Sequence, residues 1–468
     1  MTQKGLDGIR PAYDVVIVGG GLGGMTAANR LASFGYSTLL LEQHTRLGGL
    51  ATWFRRKGYI FDVALHGFPV GMKKTCRKYW SREIHDAIVP LRDLRFDNPQ
   101  FQLTTTFDEH DFTRLLIEAF GVAPAAVQAF FREAREMTHL DDPSYTARQL
   151  FEKHFPGRND VVRFVMEPIT YANGSTLEDP AISYGIVFSN FMSKGVFTFE
   201  GGTDRFLSML EAEMARNGVE ARVGVLVDRI LVEDGAVRGV AAGGQTIRAR
   251  AVVSNAGLTR TIRDLVGLDH FAPEFARQAA AVRVNSSSCQ VYIAIRKGER
   301  IDHIGDLLFV STAPEFDPVA MKRRGTESRS FSIYYPNTRP GSDQYSIVAS
   351  CGAHYEDWAG LAPDEYERAK AQLIEQTLAA LEKYLPGVRR VIDHVEAATP
   401  RTFERYALHP NGAAFGTKFE GLAVSLGLKD HIRGLCHTGS VGIIMSGWLG
   451  ASNYGAIVAN DVDHFLSA

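Results

Sequence analysis

Cysteine is scarce in this chain: four in 468 residues, Cys76, Cys289, Cys351 and Cys436. No two form a CxxC pair, so neither a disulfide framework nor a metal site is expected, and four reduced thiols are. Charge of one sign is lacking too. The net charge is −2, which leaves no overall basic surface to attract nucleic acid. No apolar run reaches the roughly 18 residues that span a bilayer. The polar stretch Met1–Pro11 lacks the apolar core of a secretory signal, so the expected setting is the cytoplasm. HExxH, GxSxG and Walker sequences are absent, which leaves hydrolase and NTPase readings without support. There is no tandem repeat or low-complexity tract. The length suffices for two domains with sizeable cores.

What is present begins at residue 13. The run Tyr13-Asp14-Val15-Val16-Ile17-Val18 feeds into Gly19-x-Gly21-x-x-Gly24, and Ala27, Ala28 and Leu31 follow at helical spacing. Such a strand–turn–helix places a dinucleotide pyrophosphate on a helix N-terminus. Gly19 allows the turn, Gly21 admits the phosphates, and Gly24 lets helix and strand pack closely. A second apolar strand, Ser37–Leu41, ends in Glu42. A carboxylate there accepts from both ribose hydroxyls and repels a 2′-phosphate, which disfavours NADP.

FAD and NAD share those features. Beyond Glu42 and Gln43 comes Arg46-Leu47-Gly48-Gly49-Leu50. This resembles the arginine and double glycine of FAD enzymes of the glutathione-reductase-like class. There the glycines let a second backbone stretch close over the diphosphate, and the arginine offsets its charge. Further on, Gly201-Gly202-Thr203-Asp204-Arg205-Phe206 opens an amphipathic helix. Val232–Val237 reads as a hairpin with an Asp-Gly turn, and Ala251–Ala256 as an apolar strand. Near the end, Gly434–Ser440 and Met445–Gly455 read as a strand, a glycine-rich loop and a helix.

Together these segments resemble the phytoene desaturase, carotenoid isomerase and retinol saturase family, at about 13–70, 198–258 and 432–465. Gly58-Tyr59-Ile60-Phe61-Asp62 is a further match. The resemblance implies an α/β fold: a glutathione-reductase-like Rossmann FAD domain with an inserted α+β substrate domain. The FAD domain would take 1–70, 198–258 and 432–468; the substrate domain would take 71–197 and 259–431. It implies FAD contacts from Gly19, Gly21, Gly24, Glu42, Gln43, Arg46, Gly48, Gly49, Leu50, Val227, Ala256, Gly439, Ser440, Gly450, Ser452 and Asn453. It also implies a long apolar polyene or isoprenoid as substrate, and attachment to one membrane face as an open possibility. The chain departs from the family pattern at Val63-Ala64-Leu65-His66-Gly67 and at Ser440–Trp448. Both stretches should border the flavin, so substrate and reaction direction stay open.

Six segments and a few single residues carry the remaining expectations. The Phe-rich run Phe188–Phe197 suits a core, a tunnel wall or a lipid contact. Phe112–Phe120, Ala123–Thr138 and Pro363–Tyr384 have helical spacing. Ser288–Ile295 and Ser330–Tyr335 read as strands. His66 is the first candidate for a proton partner near neutral pH, with Tyr454 and His437 behind it. Asn453 would bond the flavin or cap the last helix. No second GxGxxG stands for NADPH, so the electron acceptor is open. Two other readings share the fold: an amine- or porphyrinogen-oxidase-like flavoenzyme, and a flavin-free lipid-binding protein.

Overall fold

The computed structural model describes residues 2–64, 66–138, 141–192, 194–325, 328–338 and 344–468. Leu65 and Ser193, which fall in two of the stretches singled out above, lie outside the described residues.

Val15, Val16, Ile17, Leu39, Leu40 and Ala251–Val253 are fully buried. Strands this apolar on both faces form a parallel sheet covered on both sides. Strand Ala12–Val18 accordingly lies between Thr38–Glu42 and Gln245–Ser254, all parallel. Glu220–Val223 extends the sheet beside Thr38–Glu42. The second half of Gln245–Ser254 pairs in parallel with Leu435–His437, and its first half pairs antiparallel with Ala236–Ala242. Val227–Glu233 closes that edge. The hairpin turn sits at Asp234 and Gly235, with φ of 51° and 67°, the left-handed pair that a two-residue turn between twisted strands requires.

Helices Leu22–Ser33 and Gly447–Ser467 pack on this sheet. Their contact is so close that a Cβ on Gly455 would fall 2.2 Å from the Gly23 carbonyl oxygen. The same core takes in Met72, Cys76, Ile84, Leu258, Phe275 and Leu428. This core therefore takes in residues beyond 70 and 258 and before 432.

The second sheet has seven strands: Ile392–Ala398, Ser287–Ile295, Ser346–Ala353, Ser328–Tyr334, Leu307–Ser311, Leu94–Asn98 and Phe101–Thr105. Helix Pro363–Glu382 covers one face through Leu373, Leu378 and Leu381. Helices Glu109–Glu118, Pro124–Glu136, Ala147–His154, Asn159–Asn173 and Ala181–Met192 form a third core around stacked phenylalanines. Phe112 and Phe164 lie 4.1 Å apart, ring to ring. Phe188, Val196 and Phe197 are buried, while Val187 and Phe191 face a cavity. The Phe-rich run is thus core and cavity wall. All four cysteines are free and buried. Among the described residues no helix is long and apolar enough to cross a membrane, and no cluster could hold a metal.

Candidate cofactor and active site

One cavity of about 750 Å³ runs from the glycine loops to the seven-stranded sheet. Its first half is built by backbone. Gly19 has φ 98°, which an L side chain rarely adopts. A Cβ on Gly21 would sit 2.8 Å from Asn255 Nδ2, and one on Gly49 would sit 3.1 Å from Gly21 Cα. The Gly48 amide donates to the Gly20 carbonyl at 2.7 Å. The two glycine stretches therefore touch and leave a bare backbone cradle. Gly24 has a packing role: its Cβ would fall 2.2 Å from the Gly19 carbonyl. Gly439, with φ 109°, approaches from the far side, where its Cβ would meet Asn255 Oδ1 at 3.0 Å.

Glu42 ends its strand 8% exposed on the cavity wall. Its carboxylate accepts from the Gly20 and His44 amides, each at 2.7 Å. Burial raises its pKa, and those two bonds hold it partly back. Gln43, Arg46, Leu50, Val227, Ala256 and Ser440 all line the same half. The Arg46 guanidinium lies 4.4 Å above the Trp53 ring. Asp62 ties two sequence segments together by accepting the Thr203 amide at 3.1 Å at the start of helix Gly202–Arg216. Trp448, Gly450 and Asn453, in the first two turns of the last helix, reach the cavity.

Four expectations need correction. Ser452 lies off the wall; its hydroxyl donates to the Trp448 carbonyl at 2.8 Å. Asn453 is no cap, since Ser446 holds that position; its Oδ1 accepts from Thr75 at 2.8 Å. Tyr454 is buried away from the cavity and bonds Ser425 at 2.6 Å, so it is a structural residue. Ser425 also bonds His437 Nδ1 at 2.7 Å, and His437 Nε2 donates to the Ala256 carbonyl at 2.9 Å. This buried relay fixes the neutral His437 tautomer and holds the loop at Ala256. Finally, His66 does line the cavity, with Nδ1 2.8 Å from the Ser332 hydroxyl, but burial lowers its pKa to about 4. That shift favours the neutral imidazole and works against a proton partner poised near neutrality.

Sequence reading missed several wall residues. Asn255 stands between the glycine loops at the C-terminal end of a parallel strand, the place where open α/β sheets bind ligands, and that position was its signal. Gln290, Ser330 and Ser350 face the cavity from the second sheet. Their signal was polarity at every second residue of otherwise apolar strands.

The cradle fits the diphosphate and ribose of a dinucleotide. A family model described as flavin-containing amine oxidoreductase matches residues 22–424. The chain belongs to the flavin-containing amine oxidoreductase family. Its cofactor is FAD, and it is an FAD-dependent oxidoreductase. When bound, FAD supplies reversible two-electron exchange; the protein binds, orients and shields it. This family member is 24% identical over 452 residues to prolycopene isomerase of Arabidopsis thaliana, covering 87% of this chain and 74% of that protein. It is 23% identical over 468 residues to human all-trans-retinol 13,14-reductase, covering 86% and 77%. An oxidoreductase from Methanosarcina mazei shares the fold, with a TM-score of 0.68, 18% identity and coverage of 95% and 99%.

Proposed function

We propose that this flavoenzyme desaturates, saturates or isomerises the double-bond system of an apolar polyene or isoprenoid lipid. The carrying observation is the second half of the cavity. Phe107, Tyr171, Val187, Phe191, Leu307 and Phe309 wall it, and it is continuous with the cofactor cradle. A concave, mostly apolar space with a few polar groups suits such a ligand. The relatives named for prolycopene and retinol support the same substrate class.

The three reaction types use one site and are separated by redox balance. The test is anaerobic incubation with phytoene and with a cis-polyene, with the flavin fully oxidised or fully reduced, followed by product chromatography. Turnover only from the oxidised form means desaturation. Turnover from the reduced form with net flavin oxidation means saturation, and without it isomerisation. No conversion in either state contradicts the polyene reading.

A further inference from the structure

The cavity face of the second sheet is polar where an all-hydrocarbon ligand would call for apolar side chains. In strand Ser287–Ile295 the alternate residues Val291 and Ile293 pack under helix Pro363–Glu382, while Ser288 and Gln290 face the cavity. The neighbouring strands repeat the pattern. Ile347 and Ala349 lie on the helix side and Ser350 on the cavity side; Phe331 and Ile333 lie opposite Ser330. Register aligns Gln290 with Ser350 and Ser350 with Ser330, so the polar groups form one row across three strands.

The row has unused hydrogen-bonding capacity. Gln290 Nε2 donates to Ser350 Oγ at 3.3 Å and to His66 Nε2 at 3.4 Å. Gln290 is 4% exposed, yet its Oε1 has no hydrogen-bond partner among the described residues. A half-turn about the last side-chain torsion only exchanges the two ends of the amide and still leaves one end unmet. Ser330 stands on the wall on the far side of Ser350 from Gln290, against Phe309 of the next strand. A buried amide with an unmet bond favours a ligand that supplies the missing partner. The cations on the cavity wall, Arg46, Arg56 and Arg260, come from other elements, and Gln290, Ser350 and Ser330 carry no formal charge, so the row suits an uncharged oxygen.

We propose that Gln290, Ser350 and Ser330 form a subsite for a hydroxyl or carbonyl oxygen on an otherwise apolar isoprenoid. This rests on the isoprenoid reading above and narrows it. The test titrates the FAD holoenzyme with retinol, with retinal, and with the matched hydrocarbon lacking the oxygen, following the flavin spectrum. The expected result is that retinol or retinal binds at least about tenfold more tightly than the hydrocarbon, since the hydrocarbon leaves the amide unmet. The stronger of the two identifies the oxygen function. In the Gln290→Leu variant, and in Gln290→Met as a second, that preference falls below about threefold, because no amide is left unmet by the hydrocarbon. Equal binding of all three ligands overturns the subsite and leaves the isoprenoid reading standing. A preference that survives both variants also overturns it. Binding of none of the three overturns the isoprenoid reading and the subsite with it.

Discussion

The Glu42 carboxylate accepts the Gly20 amide at 2.7 Å, so the end of one strand holds the glycine turn that follows its neighbour. Its other oxygen holds the His44 amide. One side chain thus shapes the turn and stands on the cavity wall. Glu42→Ala should leave two amides without an acceptor, at about 1–3 kcal/mol each. The purified variant should carry little flavin and melt at a lower temperature. The ratio of flavin to protein absorbance, with a melting curve, checks this. A flavin-replete Glu42→Ala protein with unchanged Tm would contradict the assignment.

Gly21 and Gly24 should fail in different ways. A side chain at Gly21 enters the cradle beside the Asn255 amide, so Gly21→Val should stay folded and lose FAD. At Gly24 the obstruction is the Gly19 carbonyl itself, so Gly24→Ala should destabilise the domain by about 1–3 kcal/mol. Circular dichroism melts beside flavin content separate the two.

These glycines also mark what was legible in the sequence. The first cradle could be read from residues 13–50 because each role is local: turn, strand end and helix start are adjacent in the chain. The helices at Glu109–Glu118, Pro124–Glu136 and Pro363–Glu382 were visible for the same reason. Asn255 and the row Gln290, Ser350 and Ser330 were not, because long-range strand register brings them to the cavity. The misplacement of Tyr454 has a helical cause. It stands one residue after Asn453, and one step along a helix turns a side chain by about 100°. Asn453 therefore meets the cavity while Tyr454 meets Ser425. The pKa of His66 was out of reach, since burial among residues distant in sequence sets it.

That burial makes a kinetic prediction. With its pKa lowered to about 4, His66 should produce no limb in the pH–rate profile between pH 5 and 8. His66→Gln should keep FAD and leave the shape of the profile in that window unchanged. A wild-type limb near pH 6.5 that disappears in His66→Gln would show that the histidine titrates as an acid or base.

The relay from Tyr454 to Ala256 predicts stability rather than rate. Tyr454→Phe should cost about 1 kcal/mol and leave turnover intact. His437 is held at about 4 against an ordinary value of 6.5. Between those values the unfolded chain binds the proton and the folded one does not, so its contribution to stability falls as pH drops from 6.5 towards 4. Melting curves of wild type and His437→Gln over that range should converge as the pH falls. A constant difference would place the histidine outside the linkage.

The most direct test of the central claim is anaerobic titration of the FAD holoenzyme with a polyene and, separately, with primary amines, reading the flavin spectrum. Saturable spectral perturbation, or a change in flavin redox state, is expected with the polyene, and no change with amines. Flavin reduction by amines, with no response to any polyene, would contradict it.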